Sequence, residues 1–204
     1  GRYAFNQQPY IGLWNLSCLA QTLLPLAPKE ALKAVLDGYQ PMIDRSYRDL
    51  MRTKLGLKED RVEDEALLQE LKSLMVGSRV DYTIFWRELG TFSSDPAAKH
   101  ERLREHFLNP DRFGAWADQY GTRLQREQSR DKERRAEMDR INPKYVLRNY
   151  LAQAAIEKAQ QKDYSEIDRL LNLLRDPYLD HAGMDSYAAA PPNWGKHLSV
   201  SCSS

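Results

Sequence analysis

Apolar residues in this chain return every third or fourth position and almost nowhere every second. That period confines it to helices. Leu13, Leu16, Ala20 and Leu23 make one stripe. Leu32, Leu36, Tyr39, Ile43, Tyr47 and Leu50 make another, and Pro41 is expected to kink or split it. Leu67, Leu71, Leu74 and Met75 form a face, as do Tyr82, Phe85, Trp86 and Leu89. Phe113, Trp116, Tyr120 and Leu124 follow. Leu147, Leu151, Ala154 and Lys158 share one side of a helix expected near 143–161, and Ile167, Leu170, Leu171 and Leu174 close the series. The fold class is therefore all-α.

Start signals agree with this period. Asp95-Pro96, Asn109-Pro110 and Asn142-Pro143 each precede an amphipathic run. The Asx oxygen can accept a free backbone N–H, and proline in the first turn gives up no bond the helix needs. Pro28-Lys29-Glu30 opens a helix in the same way, and Asp163 with Glu166 three residues on fits a capping box. Asp176-Pro177 stops the last helix. The chain is thus expected to form a helical domain over 1–175 and an irregular tail over 176–204, with internal seams at 56–62 and 91–96. Tyr178, Tyr187 and Trp194 give that tail apolar surface, so it is expected to pack on the domain or on another part of a larger protein.

Composition narrows the function classes. Of 204 residues, 29% are charged, yet the formal net charge is only +1, so neither disorder nor a one-signed partner is implied. Over 123–140 seven basic residues interleave with five acidic ones, which favours a solvated, ion-paired helix over a nucleic-acid face. No apolar run approaches the ~18 residues of a membrane span and no secretory leader opens the chain, so no membrane partner is expected.

Little in the sequence points to chemistry. His100, His106, His181 and His197 have no partner at metal-ligand spacing. Glu59-Asp60 and Glu63-Asp64-Glu65 stand before a helix, where the dipole favours carboxylates. There is no glycine-rich phosphate loop and no nucleophile elbow. Cys18 lies in an apolar helix and reads as a buried small hydrophobe. Cys202, flanked by serines, reads either as an inert exposed thiol or as a redox thiol. Composition and period alone favour a stand-alone helical protein-interaction module without enzymatic activity.

Three blocks add a resemblance. Gly1-Arg2-Tyr3-Ala4-Phe5-Asn6-Gln7-Gln8-Pro9 with Gly12-Leu13-Trp14-Asn15-Leu16 is the first. Asn142-Pro143 with Leu147-Arg148-Asn149-Tyr150-Leu151-Ala152-Gln153 is the second. Pro191-Pro192-Asn193-Trp194-Gly195-Lys196 with Ser201-Cys202-Ser203-Ser204 is the third. Together, and in this order, they resemble the selenoprotein O family, whose bacterial members are the YdiU proteins. The resemblance implies the C-terminal portion of a protein-kinase-like fold that transfers AMP from ATP, with Mg²⁺ or Mn²⁺, to hydroxyl side chains of proteins. In that family the nucleotide-gripping, metal-binding and base residues lie upstream of the Gly-Arg-Tyr-Ala-Phe segment. No catalytic, nucleotide-binding or metal-binding residue therefore transfers to this chain, which is expected to be inactive alone and to bind no cofactor by itself.

Its expected partners are an upstream kinase-like half of the same polypeptide and, through it, protein substrates, in a bacterial cytoplasm. Tyr3, Phe5 and Trp14 are the candidates for the contact with that half. Cys202 is the one position to which the resemblance lends a role, because some family members carry selenocysteine there.

Overall fold

A computed structural model describes residues 4–196 and 198. Among the described residues every regular element is helical. The chain divides into two compact units, Gly1–Met51 and Arg52–Ser204.

The first unit holds a 3₁₀ turn over Phe5–Gln7, helix α1 over Gln8–Thr22, α2 over Lys29–Asp37 and most of α3, which covers Tyr39–Lys54. Pro9 falls in the first turn of α1 and Pro28 is the N-cap of α2, positions that need no N–H donor. The apolar run over 32–50 does split, but at Gly38. Pro41 is the third residue of α3, where a missing N–H costs the helix nothing. No residue of α1 or α2 is buried. Cys18 is consequently half-buried, not the core residue its apolar neighbours suggested.

The second unit contains α4 (Glu63–Ser78), α5 (Tyr82–Leu89), a single turn α6 (Glu101–Arg104), α7 (Pro110–Arg126), α8 (Asp131–Ile141), α9 (Asn149–Gln160), α10 (Ser165–Arg175) and a last turn α11 (Asp185–Ala188). Its core follows the stripes. Leu71, Phe85, Leu89, Phe113, Tyr120 and Leu124 are fully buried, and Trp86 and Trp116 are 1% exposed. Each such side chain stabilises the fold by roughly 1.5–3 kcal/mol through lost apolar surface. Phe107 stacks on Phe113 at 4.5 Å and Trp116 on Tyr120 at 5.0 Å. Their polar ends are satisfied. Trp116 Nε1 donates to the Leu67 carbonyl at 2.9 Å, and the Tyr120 hydroxyl donates to the Leu55 carbonyl at 2.5 Å. These bonds tie α7 to α4 and to the loop after α3.

Local signals were resolved unevenly. Asn109 caps α7 as expected, its Oδ1 accepting the Arg112 N–H at 3.0 Å. Asp95 caps only a turn, through the Ala97 N–H, and the chain stays irregular until Glu101. Asn142 is completely buried, and its Nδ2 donates to the Lys54 carbonyl at 3.1 Å, so it pins α8 to the end of α3 and starts no helix. Helix α9 begins only at Asn149, which leaves Leu147 ahead of it and 56% exposed. Asp163 makes an Asx turn with the Ser165 N–H, while the carboxylate of Glu166 turns inward. The stretch 123–140 is two helices, broken where Gln128 adopts φ +53°.

The segment after α10 folds back on the rest of the second unit. The Lys144 and Tyr145 N–H groups both donate to the Pro177 carbonyl. Lys144 Nζ lies 2.7 Å from both Asp180 and Asp185. Tyr187 and Leu198 pack on a cluster of Tyr150, Leu151, Ala155 and Leu170.

Candidate functional site

Three constellations stand out, and each is built by particular helices. The first is a buried ion network. Helix α4 carries Asp64 in its first turn and α7 carries Arg123 near its end. Arg123 is 3% exposed; its Nε lies 2.6 Å from Asp64 and its Nη1 2.8 Å from Glu127. Arg123 Nη2 also donates to the Glu59 carbonyl, and Glu127 accepts the Lys58 and Glu59 N–H groups. The acidic cluster thus does more than complement a helix dipole. One of its members anchors a buried cation that closes the 55–61 loop. Arg134 behaves similarly, fully buried, paired to Asp131 at 2.8 Å and donating to the Phe92 carbonyl. Two of the seven basic side chains in 123–140 are therefore internal struts, not members of a solvated face.

The second lies around α5. Asp81 is its N-cap, accepting the Ile84 N–H at 3.1 Å, and its two oxygens receive Arg148 Nη1 at 2.7 Å and Nη2 at 3.1 Å. Nothing in the sequence separated Asp81 from other surface acids except its place just before an aromatic helical run. Burial pushes the Asp81 carboxyl up, but the Arg148 bonds and the Ile84 N–H outweigh it and hold it below the usual carboxylate range. Its stabilising contribution is therefore complete above the unfolded value near ~4 and fades as pH falls through the lower folded value. Asp81→Asn keeps the cap and removes the charge. The variant is expected to lose about 1–2 kcal/mol at pH 7 and to show a flatter fall in thermal midpoint between pH 7 and pH 2 than the parent. Nearby, Lys54 Nζ sits 5.4 Å over the Trp86 ring and 5.7 Å over the Tyr82 ring, and burial lowers its pKa.

The third holds the tail. Glu166, 7% exposed, accepts the Tyr187 hydroxyl at 2.6 Å, Lys158 Nζ at 2.9 Å and Arg169 Nη1 at 3.0 Å. Burial would raise its pKa, and these three donors lower it instead. Beside the tail runs an open groove of about 480 Å³. Three of its cations are engaged, Arg87 with the Asp139 carbonyl at 2.6 Å, Arg102 with Glu88 at 2.5 Å, and Lys144 with Asp180 and Asp185, and Arg135 lies 3.8 Å from Asp139.

The cations of these three constellations are held by carboxylates, carbonyls and rings of the chain itself. A triphosphate needs converging cations that are free to meet it, and Mg²⁺ needs oxygen ligands gathered on one point. Among the described residues no group of three or more His, Cys, Asp or Glu is placed to hold a metal ion. His106 is bound to Glu88 at 2.6 Å, His181 to the Asp176 carbonyl at 2.9 Å, and His100 stacks on Phe92 at 3.9 Å. Tyr3, His197 and Cys202 lie outside the described residues.

What remains is a surface. Residues 3–28 contain no Asp, Glu, Lys, Arg or His, in a chain that is 29% charged. Phe5 is 94% and Trp14 50% exposed. Between α1, α2 and the start of α3 lies an apolar groove of about 410 Å³, lined by Leu16, Leu19, Leu32, Val35 and Met42. Among the described residues no helix is long and apolar enough to cross a membrane.

The comparison with known sequences gives this surface its context. Residues 1–175 match the family described as Protein adenylyltransferase SelO, and the chain belongs to that family. It is 52% identical over 204 residues to the Protein nucleotidyltransferase YdiU of Myxococcus xanthus. It is 49% identical to that of Pseudomonas fluorescens strain Pf0-1 and 50% identical to that of Thioalkalivibrio sulfidiphilus. In each case the whole chain is matched, and it spans 42% of the relative's length. The family is thus one of protein nucleotidyltransferases, and this chain corresponds to less than half of such an enzyme.

Proposed function

We propose that this chain is the helical, non-catalytic portion of a protein adenylyltransferase. The parent transfers AMP from ATP, with Mg²⁺ or Mn²⁺, to Ser, Thr or Tyr hydroxyls of proteins in the bacterial cytoplasm. Its nucleotide-binding half has a protein-kinase-like fold and lies upstream of Gly1. The observation that carries this reading is 52% identity, over the whole of this chain, to a nucleotidyltransferase more than twice as long. Phosphoryl chemistry of this kind rests on positioned cations and metal ions; the cations described above are instead held in ion pairs within the chain, which supports this reading. The helices support the catalytic half, and the terminal Cys202 is a redox thiol that ties the tail to it.

The test uses ATP labelled in its α-phosphate. With Mn²⁺, the 204-residue chain is expected to label no protein, while the full-length polypeptide labels itself or a substrate. Robust labelling by the chain alone overturns the reading. For the thiol, full-length activity is compared with that of Cys202→Ser under reducing and oxidising conditions. Equal activity in all four arms removes the redox role.

A further inference from the structure

We infer that the groove between α1, α2 and the start of α3 is the seat of an apolar segment from the part of the family polypeptide that this chain does not span. The inference rests on the functional reading above and adds to it the surface and the chemistry of its occupant. Helix α1 is fifteen residues long, carries no charged side chain, and has no buried residue. A helix without a polar face belongs inside a domain. Its exposure is two-sided. Leu19, in the groove, is 55% exposed, and Tyr10, nine positions earlier and so about 180° around the helix at ~100° per residue, is 67% exposed.

A symmetric contact with a second copy would cover one of these faces and leave the other in water. A longer polypeptide folded around the helix covers both. Over half of each relative's length lies outside the matched region, which is ample to do so. A membrane surface fits less well, because α1 offers no lysine or arginine to meet anionic headgroups and the two lysines of α2, Lys29 and Lys33, are matched by Glu30 and Asp37. The groove has the apolar lining to accept a helix presenting Leu-, Ile- or Phe-type anchors.

The experiment compares two valines on helices of equal exposure. Val35 lines the groove and is 77% exposed; Val76, on α4 of the other unit, is 78% exposed. In the full-length polypeptide, Val35→Lys is expected to lower the thermal midpoint by about 3 °C or more, and Val76→Lys by about 1 °C or less. In the 204-residue chain the two variants are expected to behave alike. Val35→Thr, isosteric and uncharged, gives a smaller shift of the same sign if the lysine variant does not fold. Equal midpoints for the two lysine variants in the full-length polypeptide overturn the inference. So does a concentration-dependent loss in which Val35→Lys turns a dimer into a monomer on a sizing column, since the occupant is then a second copy. Melting does not require catalysis. A full-length polypeptide that transfers no nucleotide therefore sinks the functional reading and leaves this comparison intact.

Discussion

Arg123→Met is expected to destabilise the second unit by about 3–5 kcal/mol, close to the whole stability of many domains. The methionine fills much of the arginine's volume, so the loss is electrostatic. Two carboxylates remain: Glu127, whose side chain is 1% exposed, and Asp64, at 11%. Both lose their cation while staying out of water. The Glu59 carbonyl loses its donor as well. Urea unfolding followed by circular dichroism measures the effect as a lower midpoint with an unchanged slope. The triple variant Arg123→Met, Asp64→Asn, Glu127→Gln removes the stranded charges and is expected to regain a substantial part of the loss. A single variant within about 0.5 kcal/mol of the parent would show that the network carries no such energy.

Gly56→Ala is expected to cost about 2–5 kcal/mol, from two additive sources. Gly56 has φ +69°, where an L side chain costs roughly 1–2 kcal/mol. A Cβ there would also stand 2.6 Å from Arg134 Cγ and 2.7 Å from Met138 Sδ. Arg134 cannot swing aside, because it is fully buried and fixed to Asp131 and the Phe92 carbonyl. Such overpacking adds about 1–3 kcal/mol. The control is Gly77→Ala on an exposed stretch of α4, where nothing lies within 4 Å of the new methyl group. It is expected to stabilise by about 0.5–1 kcal/mol. Opposite signs for the two glycines in the same denaturation assay check the argument.

The helices of the second unit were legible because their apolar residues face a common core. Phe85, Trp86, Phe113, Trp116 and Tyr120 repeat at helical spacing and all end up inside. Local punctuation was less reliable, for a physical reason. An Asx side chain before proline can cap a helix, cap a turn, or abandon its neighbours for a distant carbonyl. Asn109, Asp95 and Asn142 do these three things in turn. Which of them happens depends on what packs nearby in space, and the adjacent residues hold no record of it. The same holds for charge. Alternating signs over 123–140 suggested a wet helix held by local pairs; Arg123 and Arg134 do keep local partners in Glu127 and Asp131, but both are buried and also reach Asp64 and the Phe92 carbonyl on other elements. Asp81 went unnoticed because its significance lies in Arg148, 67 positions away.

The surface was legible in a different manner. Tyr3, Phe5 and Trp14 were candidates for a contact with the rest of the family polypeptide; Tyr3 lies outside the described residues, and Phe5 and Trp14 are half or more exposed. The apolar groove beyond them was not foreseen. Its lining comes from three helices, and no one of their stripes by itself shows the groove.

The placement of the four tryptophans makes the molecule its own spectroscopic gauge. Trp14 lies in the first unit and Trp194 in the C-terminal segment, both half or more open to solvent, whereas Trp86 and Trp116 are sealed in the second unit. Intrinsic fluorescence consequently mixes two quenchable indoles with two shielded ones. With variants that keep one tryptophan and carry Phe at the other three positions, the emission of each region can be followed separately without attaching any dye.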